Sequence, residues 1–198
     1  LVRRLVKWGL WAREAVRNPN QALFLKTYGE VGQVEIYKCS IFDLRALTKY
    51  IAGSKVVINS VAGALNETSK KTIRQYYIDG PELIAEQCAM LKVEKLIHIS
   101  SIGVDSQSRS IYSSAKAIGE EKIMKKFNSV AIVRPSLIFG HEDSFFNRYA
   151  SIAVYSPVVP LIGKDTMFQP VYVDDVALAV EKIATQRNLK GFFELGGP

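Results

Sequence analysis

Lys95-Leu96-Ile97-His98-Ile99-Ser100-Ser101, followed by Tyr112-Ser113-Ser114-Ala115-Lys116, is the stretch whose reading decides the fold. The first segment is a short apolar run closed by two serines, the pattern of a strand buried on both faces. The second sets a tyrosine and a lysine four positions apart, which on a helix places both on one face. There an ammonium lowers the phenol pKa and can hold a ribose hydroxyl, while the phenol serves as acid or base. Tyr-x-x-x-Lys alone is a weak signal, since surface helices carry it by chance with the ring packed on a neighbour. The preceding strand and serine pair give it weight.

On either side of that stretch, residues 11–16, 33–38, 55–60 and 129–134 are further short runs rich in Val and Ile, and they alternate with helical segments. This alternation predicts a doubly wound α/β domain, a parallel sheet with helices on both faces. Residues 43–52 read as a crossover helix with Asp43 as N-cap and Gly53 just past its end, and 73–91 as another. Pro81 lies inside the second, so a kink near Asp79–Gly80 is expected, or a division into two helices at the Gly-Pro pair. After Arg134 the pattern loosens, with Pro135, Gly140, Pro157, Pro160, Gly163 and Pro170, and reads as substrate-side loops. Residues 1–198 are taken as one nucleotide-binding domain, with 135–198 supplying those loops.

Composition excludes several classes. With 48% hydrophobic and 23% charged residues the chain is globular rather than disordered. No apolar run approaches the roughly 20 residues of a membrane span, so any membrane association would run through partners. The formal net charge of +7 is spread over scattered basic residues, without the runs and aromatic signature of a nucleic-acid binder. Cys39 and Cys88, like His98 and His141, lack metal-ligand spacing, and no metal is expected. His98, inside an apolar strand, reads as a satisfied core histidine.

The serine-ended strand, the Tyr112–Lys116 pair and Ile132-Val133-Arg134-Pro135-Ser136-Leu137-Ile138-Phe139-Gly140 together resemble the extended and atypical short-chain dehydrogenase/reductases. The resemblance runs nearly end to end, through Ala15-Val16-Arg17-Asn18-Pro19, Val57-Ile58-Asn59-Ser60-Val61-Ala62-Gly63 and Glu194-Leu195-Gly196-Gly197-Pro198. Within it, Phe139-Gly140-His141-Glu142-Asp143-Ser144-Phe145-Phe146-Asn147-Arg148 and Phe168-Gln169-Pro170-Val171-Tyr172-Val173-Asp174-Asp175-Val176-Ala177 are similar to the branch of nucleotide-binding accessory subunits of respiratory complex I and their bacterial relatives. That branch implies a Rossmann-type fold, NADP(H) binding and partnership with complex I subunits. It also implies a place on the cytoplasmic face of a bacterial inner membrane or the matrix side of a mitochondrion. Related atypical members are linked to ubiquinone metabolism.

Carried over residue by residue, the resemblance makes Tyr112, Lys116 and Ser101 the catalytic candidates. The cofactor-binding candidates are Arg17, Ser40, Ile41, Val61, Ala62, Gly63 and Lys116. Arg17 follows a strand where an acidic residue would hold the ribose hydroxyls of NAD(H), and a guanidinium there suits the 2′-phosphate of NADP(H). Ser40 and Ile41 are placed near the adenine, and Val61-Ala62-Gly63 along the dinucleotide path. Two departures bear on catalysis. Eleven positions separate Ser101 from Tyr112, where many active extended members have roughly twice that gap, and Tyr77 stands where many catalytic relatives carry Asn. Two readings follow, a dinucleotide-holding accessory subunit and an active oxidoreductase or epimerase, and the departures favour the first.

Residues 1–8 read as the later part of a helix closed by Gly9. No Gly-x-x-Gly or Gly-x-Gly-x-x-Gly turn precedes the strand at 11–16, although in this fold such a turn joins the central first strand to a helix whose N-terminus meets the pyrophosphate. The expectation is a sheet lacking that strand and turn, with about ten or more residues upstream in the natural protein, and a further substrate-side portion after Pro198.

Overall fold

The computed structural model of the protein describes residues 1–62, 69–143, 145–156, 158 and 167–198. Helix α1 (Val2–Lys7) ends as its sequence predicts. Gly9 N–H donates to the Val6 carbonyl at 2.9 Å and Leu10 N–H to the Leu5 carbonyl at 3.3 Å, with Gly9 at φ +75°. That closure satisfies two orphaned carbonyls and needs a residue free of Cβ strain. Strand β1 (Ala12–Val16), the short helix α2 (Pro19–Ala22), a 3-10 segment (Leu23–Tyr28) and strand β2 (Val34–Lys38) follow. Helix α3 (Leu44–Ile51) is capped by Asp43, whose carboxylate accepts from Ala46 N–H at 3.0 Å, and Gly53 beyond it has φ +75°. Strand β3 (Val56–Asn59) closes this half.

Over residues 73–91, where one kinked helix or two helices divided at Gly80–Pro81 were expected, the structure has two α-helical segments joined by a π turn. Helix α4 (Lys70–Arg74) runs into a π turn (Gln75–Asp79) and then helix α5 (Gly80–Met90). Pro81 falls in the first turn of α5, directly after the π turn, whose wider hydrogen-bonding pattern accommodates the missing N–H. Gly80 lies against the end of the Ile41 side chain, which would have to shift to admit a Cβ, and 3.1 Å would separate that Cβ from the Gln75 carbonyl oxygen.

Strand β4 (Lys95–Ile99), helix α6 (Ile111–Lys126) and strand β5 (Val130–Pro135) come next. The remainder was expected to be loops, but it contains strand β6 (Ile138–Phe139), helix α7 (Phe146–Tyr155), strand β7 (Val171–Tyr172), helix α8 (Val173–Thr185) and strand β8 (Gly191–Leu195). Helix α8 carried readable signals, Asp174 and Asp175 in its first turn and buried Val176, Ala177, Val180 and Ile183 at helical spacing. Strand β8 is less legible because its burial alternates without a continuous apolar run.

Strands β3-β4-β5-β8 form a parallel sheet in that order, and β1-β2 a second parallel pair. Side chains alternate across the four-stranded sheet with the period of two that a pleat imposes. Leu96, Val130 and Ile132 join Ile84, Cys88 and Ile123 in one core layer, while Ile97, Ala131 and Val133 meet Val180 and Ile183 of α8 in the other. These are the two helix-covered faces of a Rossmann-type fold. Lys95, buried at the start of β4, donates to the carbonyls of Ile183 (2.8 Å) and Gln186 (2.5 Å) and so caps the C-terminus of α8.

The β1-β2 pair is not hydrogen-bonded to the larger sheet. A cleft of about 2090 Å³ is lined on one side by Ala12–Ala15 and on the other by Val56–Asn59. The further central strand expected from the sequence would stand between these two edges, and among the described residues no strand lies there.

Candidate functional site

The carboxyl ends of the parallel strands carry most of the candidate residues, as crossover topology requires of a doubly wound sheet. Ser101 follows β4, and Tyr112 and Lys116 lie in the first turns of α6, whose start is set by Ser110 accepting from Ser113 N–H at 3.4 Å. The helical spacing turns both side chains to the sheet's end. Lys116 Nζ donates to Ser101 Oγ at 3.2 Å and stands 5.0 Å from the centre of the Tyr112 ring. The three catalytic candidates are thus neighbours through Lys116.

A fourth side chain completes the cluster. The π turn brings the Tyr77 ring to 5.0 Å from that of Tyr112, edge to face at 73°, with Lys116 Nζ 5.7 Å from its centre. Gly119 makes this approach possible, since a Cβ there would lie 1.9 Å from the Tyr77 carbonyl oxygen. Burial raises the Tyr112 phenol above its ordinary value, and hydrogen bonding from Tyr77 acts the other way. Burial likewise pushes the Lys116 ammonium down to about 8, against the Glu120 carboxylate one turn on. Lys116 therefore remains mostly cationic at neutral pH but titrates far sooner than a solvated lysine.

Beneath the cluster lies a polar pair that the sequence reading only half anticipated. Asn59 Oδ1 accepts from Val61 N–H at 3.1 Å, which turns its amide nitrogen to His98 Nδ1 at 3.1 Å. With Nδ1 the acceptor, the imidazole proton resides on Nε2. His98 is the satisfied core histidine expected, and burial, aided by the Lys116 charge, pushes its pKa down to about 3. Ser100 Oγ, also buried, has no hydrogen-bond partner among the described residues.

Behind Lys116, Glu120 is 3% exposed and is gripped by both arms of Arg134, Nε at 3.2 Å and Nη2 at 2.6 Å. Arg134 also reaches Glu194 at 3.4 Å on β8 and lies over the Phe192 ring at 4.4 Å. The motif Arg134-Pro135-Ser136 was legible in the sequence, but nothing there paired its arginine with Glu120.

The cofactor candidates spread along the same sheet edge. Arg17, directly after β1, borders a shallow hollow of about 540 Å³ with Asn18, Gln21 and Phe24. Its guanidinium lies 5.9 Å from the Tyr76 ring centre and 3.5 Å from the Tyr76 hydroxyl. Ser40 is exposed after β2, its Oγ accepting from Phe42 N–H at 3.3 Å. Ile41 turns inward, packing on the α3–α5 core and filling the space against Gly80. Val61 is half-buried and Ala62 exposed after β3, whereas Gly63 lies outside the described residues. The π turn links the two ends of this arrangement, with Tyr76 facing Arg17 and Tyr77 facing Tyr112.

Residues 1–196 match the profile of the NAD dependent epimerase/dehydratase family. The chain is 30% identical over 199 residues to the mitochondrial NADH-ubiquinone oxidoreductase 40 kDa subunit of Neurospora crassa, covering 100% of this chain and 52% of that protein. It is 33% identical over 179 residues to the mitochondrial NADH dehydrogenase [ubiquinone] 1 alpha subcomplex subunit 9 of Mus musculus, covering 89% of this chain and 47% of the relative. The chain spans about half the length of these curated relatives. Among solved structures, MoeE5 in complex with UDP-glucose and NAD superposes with a TM-score of 0.79 at 18% identity, over 98% of this chain and 71% of that one. At that identity the likeness is one of fold.

Proposed function

Since the chain belongs to the NAD dependent epimerase/dehydratase family, we propose that it is the nucleotide-holding domain of an accessory or assembly subunit of respiratory complex I. The domain's substrate side is placed within residues 135–198, apart from α8 and β8, which belong to the sheet and the layer that covers it. The observation that carries the subunit reading is the 30% identity along the whole chain to the Neurospora crassa subunit. Membrane association then runs through the partner complex, on the matrix side of a mitochondrion or the equivalent bacterial face. No helix among the described residues is long and apolar enough to cross a membrane.

A nicotinamide dinucleotide is the ligand the site supports. The residues that fit it are the exposed Arg17 at the end of β1, Ser100 at the end of β4, whose buried Oγ has no hydrogen-bond partner among the described residues, and Lys116 with its ammonium held at the strand ends. The geometry favours holding over turnover, because the Tyr112 phenol already has a neighbour in Tyr77. The test is affinity isolation of the full-length protein from native membranes, as wild type and as Tyr112→Phe. Both are expected to bring down complex I subunits, since the ring still packs without its hydroxyl.

An enzyme is the second reading, favoured by the Lys116–Ser101 contact at 3.2 Å. A bound nicotinamide would supply hydride chemistry. Tyr112 would hold or donate the proton, Lys116 support its anion and Ser101 orient a carbonyl. In that case the protein is recovered free of the complex, and its turnover falls by about 10²–10⁴ in Tyr112→Phe.

Arg17 is proposed to select NADP(H) over NAD(H). A charge-assisted hydrogen bond to a 2′-phosphate contributes about 1.5–3 kcal/mol, roughly tenfold or more in affinity. Titrating the full-length protein with each cofactor is expected to show that preference, and Arg17→Ala is expected to abolish it. Equal affinities in the wild type would remove Arg17 from this role.

A further inference from the structure

The Tyr112–Lys116 pair belongs to a known pattern, whereas Tyr77 stands where many catalytic relatives carry Asn, and the structure sets its ring against Tyr112. Three independent features deliver it. The π turn at Gln75–Asp79 inserts the extra residue that rotates Tyr77 toward α6. Gly119 leaves a notch into which the Tyr77 backbone fits, since any Cβ there would collide with its carbonyl oxygen. The Tyr77 and Tyr112 rings then meet edge to face, the arrangement favoured by aromatic quadrupoles. Lys116 Nζ lies over both rings, at 5.7 and 5.0 Å.

We propose that Tyr77 is a positioning residue for Tyr112, delivered by the π turn and the Gly119 notch so that the two phenols act as a pair. The proposal rests on the reading of Tyr112 and Lys116 as the nicotinamide-side groups and deepens it. A phenol hydrogen-bonded to the Tyr112 oxygen stabilises its anion and competes for it with any incoming hydroxyl or carbonyl compound. Tyr77 thereby narrows what the site accepts to compounds able to displace it. Several charged or titratable groups face Tyr112 among the described residues. Lys116 faces it from its own helix, with Glu120 one turn further on, Tyr77 faces it from the π turn, and Ser101 and His98 stand at and below the end of β4.

The test is a site-resolved NMR titration of ring-labelled tyrosine in the full-length protein, with the Tyr112 signal assigned by its loss in Tyr112→Phe. Tyr77→Phe keeps the ring and removes the hydroxyl. It is expected to raise the Tyr112 midpoint by about half a unit to one unit, the worth of one hydrogen bond to the phenolate. Tyr76→Phe, which alters the neighbouring hydroxyl facing Arg17, is expected to leave it unchanged. A Tyr112 midpoint that does not rise in Tyr77→Phe, or that moves equally in Tyr76→Phe, overturns the pairing. Addition of NADP⁺ separates this from the parent reading. If the Tyr112 signal ignores the nucleotide while Tyr77→Phe still raises the midpoint, the pair stands and the nicotinamide-side reading falls.

Discussion

Acidification from pH 7 to pH 4 is expected to cost the folded chain about 3 kcal/mol through His98 alone. The imidazole titrates near 6.5 in an unfolded chain and is pushed down to about 3 in the fold. Because the folded value lies below the unfolded one, the unfolded state binds the proton first as pH falls. The contribution is fully present above about pH 6.5 and is lost steadily toward pH 3, at about 1.4 kcal/mol per unit. The structural cause is specific. Protonation of Nδ1 would set an N–H against the Asn59 amide that now donates to it, in a site that already faces the Lys116 charge. Urea unfolding of the wild type and of His98→Gln at pH 7, 5 and 4 measures the effect. The glutamine retains an acceptor for Asn59 but does not titrate, so its stability is expected to fall less by about 3 kcal/mol over the same range. Parallel losses in the two proteins would acquit His98 as the acid-sensitive group.

Removing the partner of a buried carboxylate is the second large effect. Arg134→Met is expected to destabilise the protein by about 3 kcal/mol or more, because it leaves the Glu120 charge buried with its two-armed cation gone. Lost packing on Phe192 adds to this. Arg134→Lys keeps a charge but cannot span both carboxylate oxygens, and an intermediate loss is expected. The informative variant is the double change Arg134→Met with Glu120→Gln, which removes both charges and should recover most of the lost stability. Thermal or denaturant unfolding of the four proteins gives the coupling directly. If the double variant is as unstable as the sum of the two single ones, the pair is not the interaction at stake.

Both networks join residues that no local sequence pattern connects. His98 announced itself, since a histidine inside an apolar strand must be satisfied. Its partner Asn59 lies on a different strand, 39 positions away, and is aligned with it only by the parallel register Asn59↔His98. Likewise Glu120 and Arg134 stand 14 positions apart on a helix and a strand, and no local spacing rule connects them. The same is true of α1, which is anchored by Arg4 to Asp174 (2.5 Å) and by Trp8 Nε1 to Glu181 (2.6 Å) on α8.

What the sequence determined by itself was the local part. The alternation of apolar runs and helical segments settled the α/β class, Asp43 and Gly53 bounded α3, Gly9 closed α1, and the four-residue spacing put Tyr112 and Lys116 on one helical face. These depend on neighbours within a turn or two, where capping, glycine conformation and side-chain periodicity act. Only the tertiary structure decided that residues 75–79 form a π turn, and that Gly119 opposite admits it. It also decided that residues 191–195 complete the sheet beside β5. The reason is physical. A π turn is worth its poorer hydrogen bonding only when another helix offers the notch that receives it, and an edge strand with alternating burial acquires its identity from the strand it pairs with.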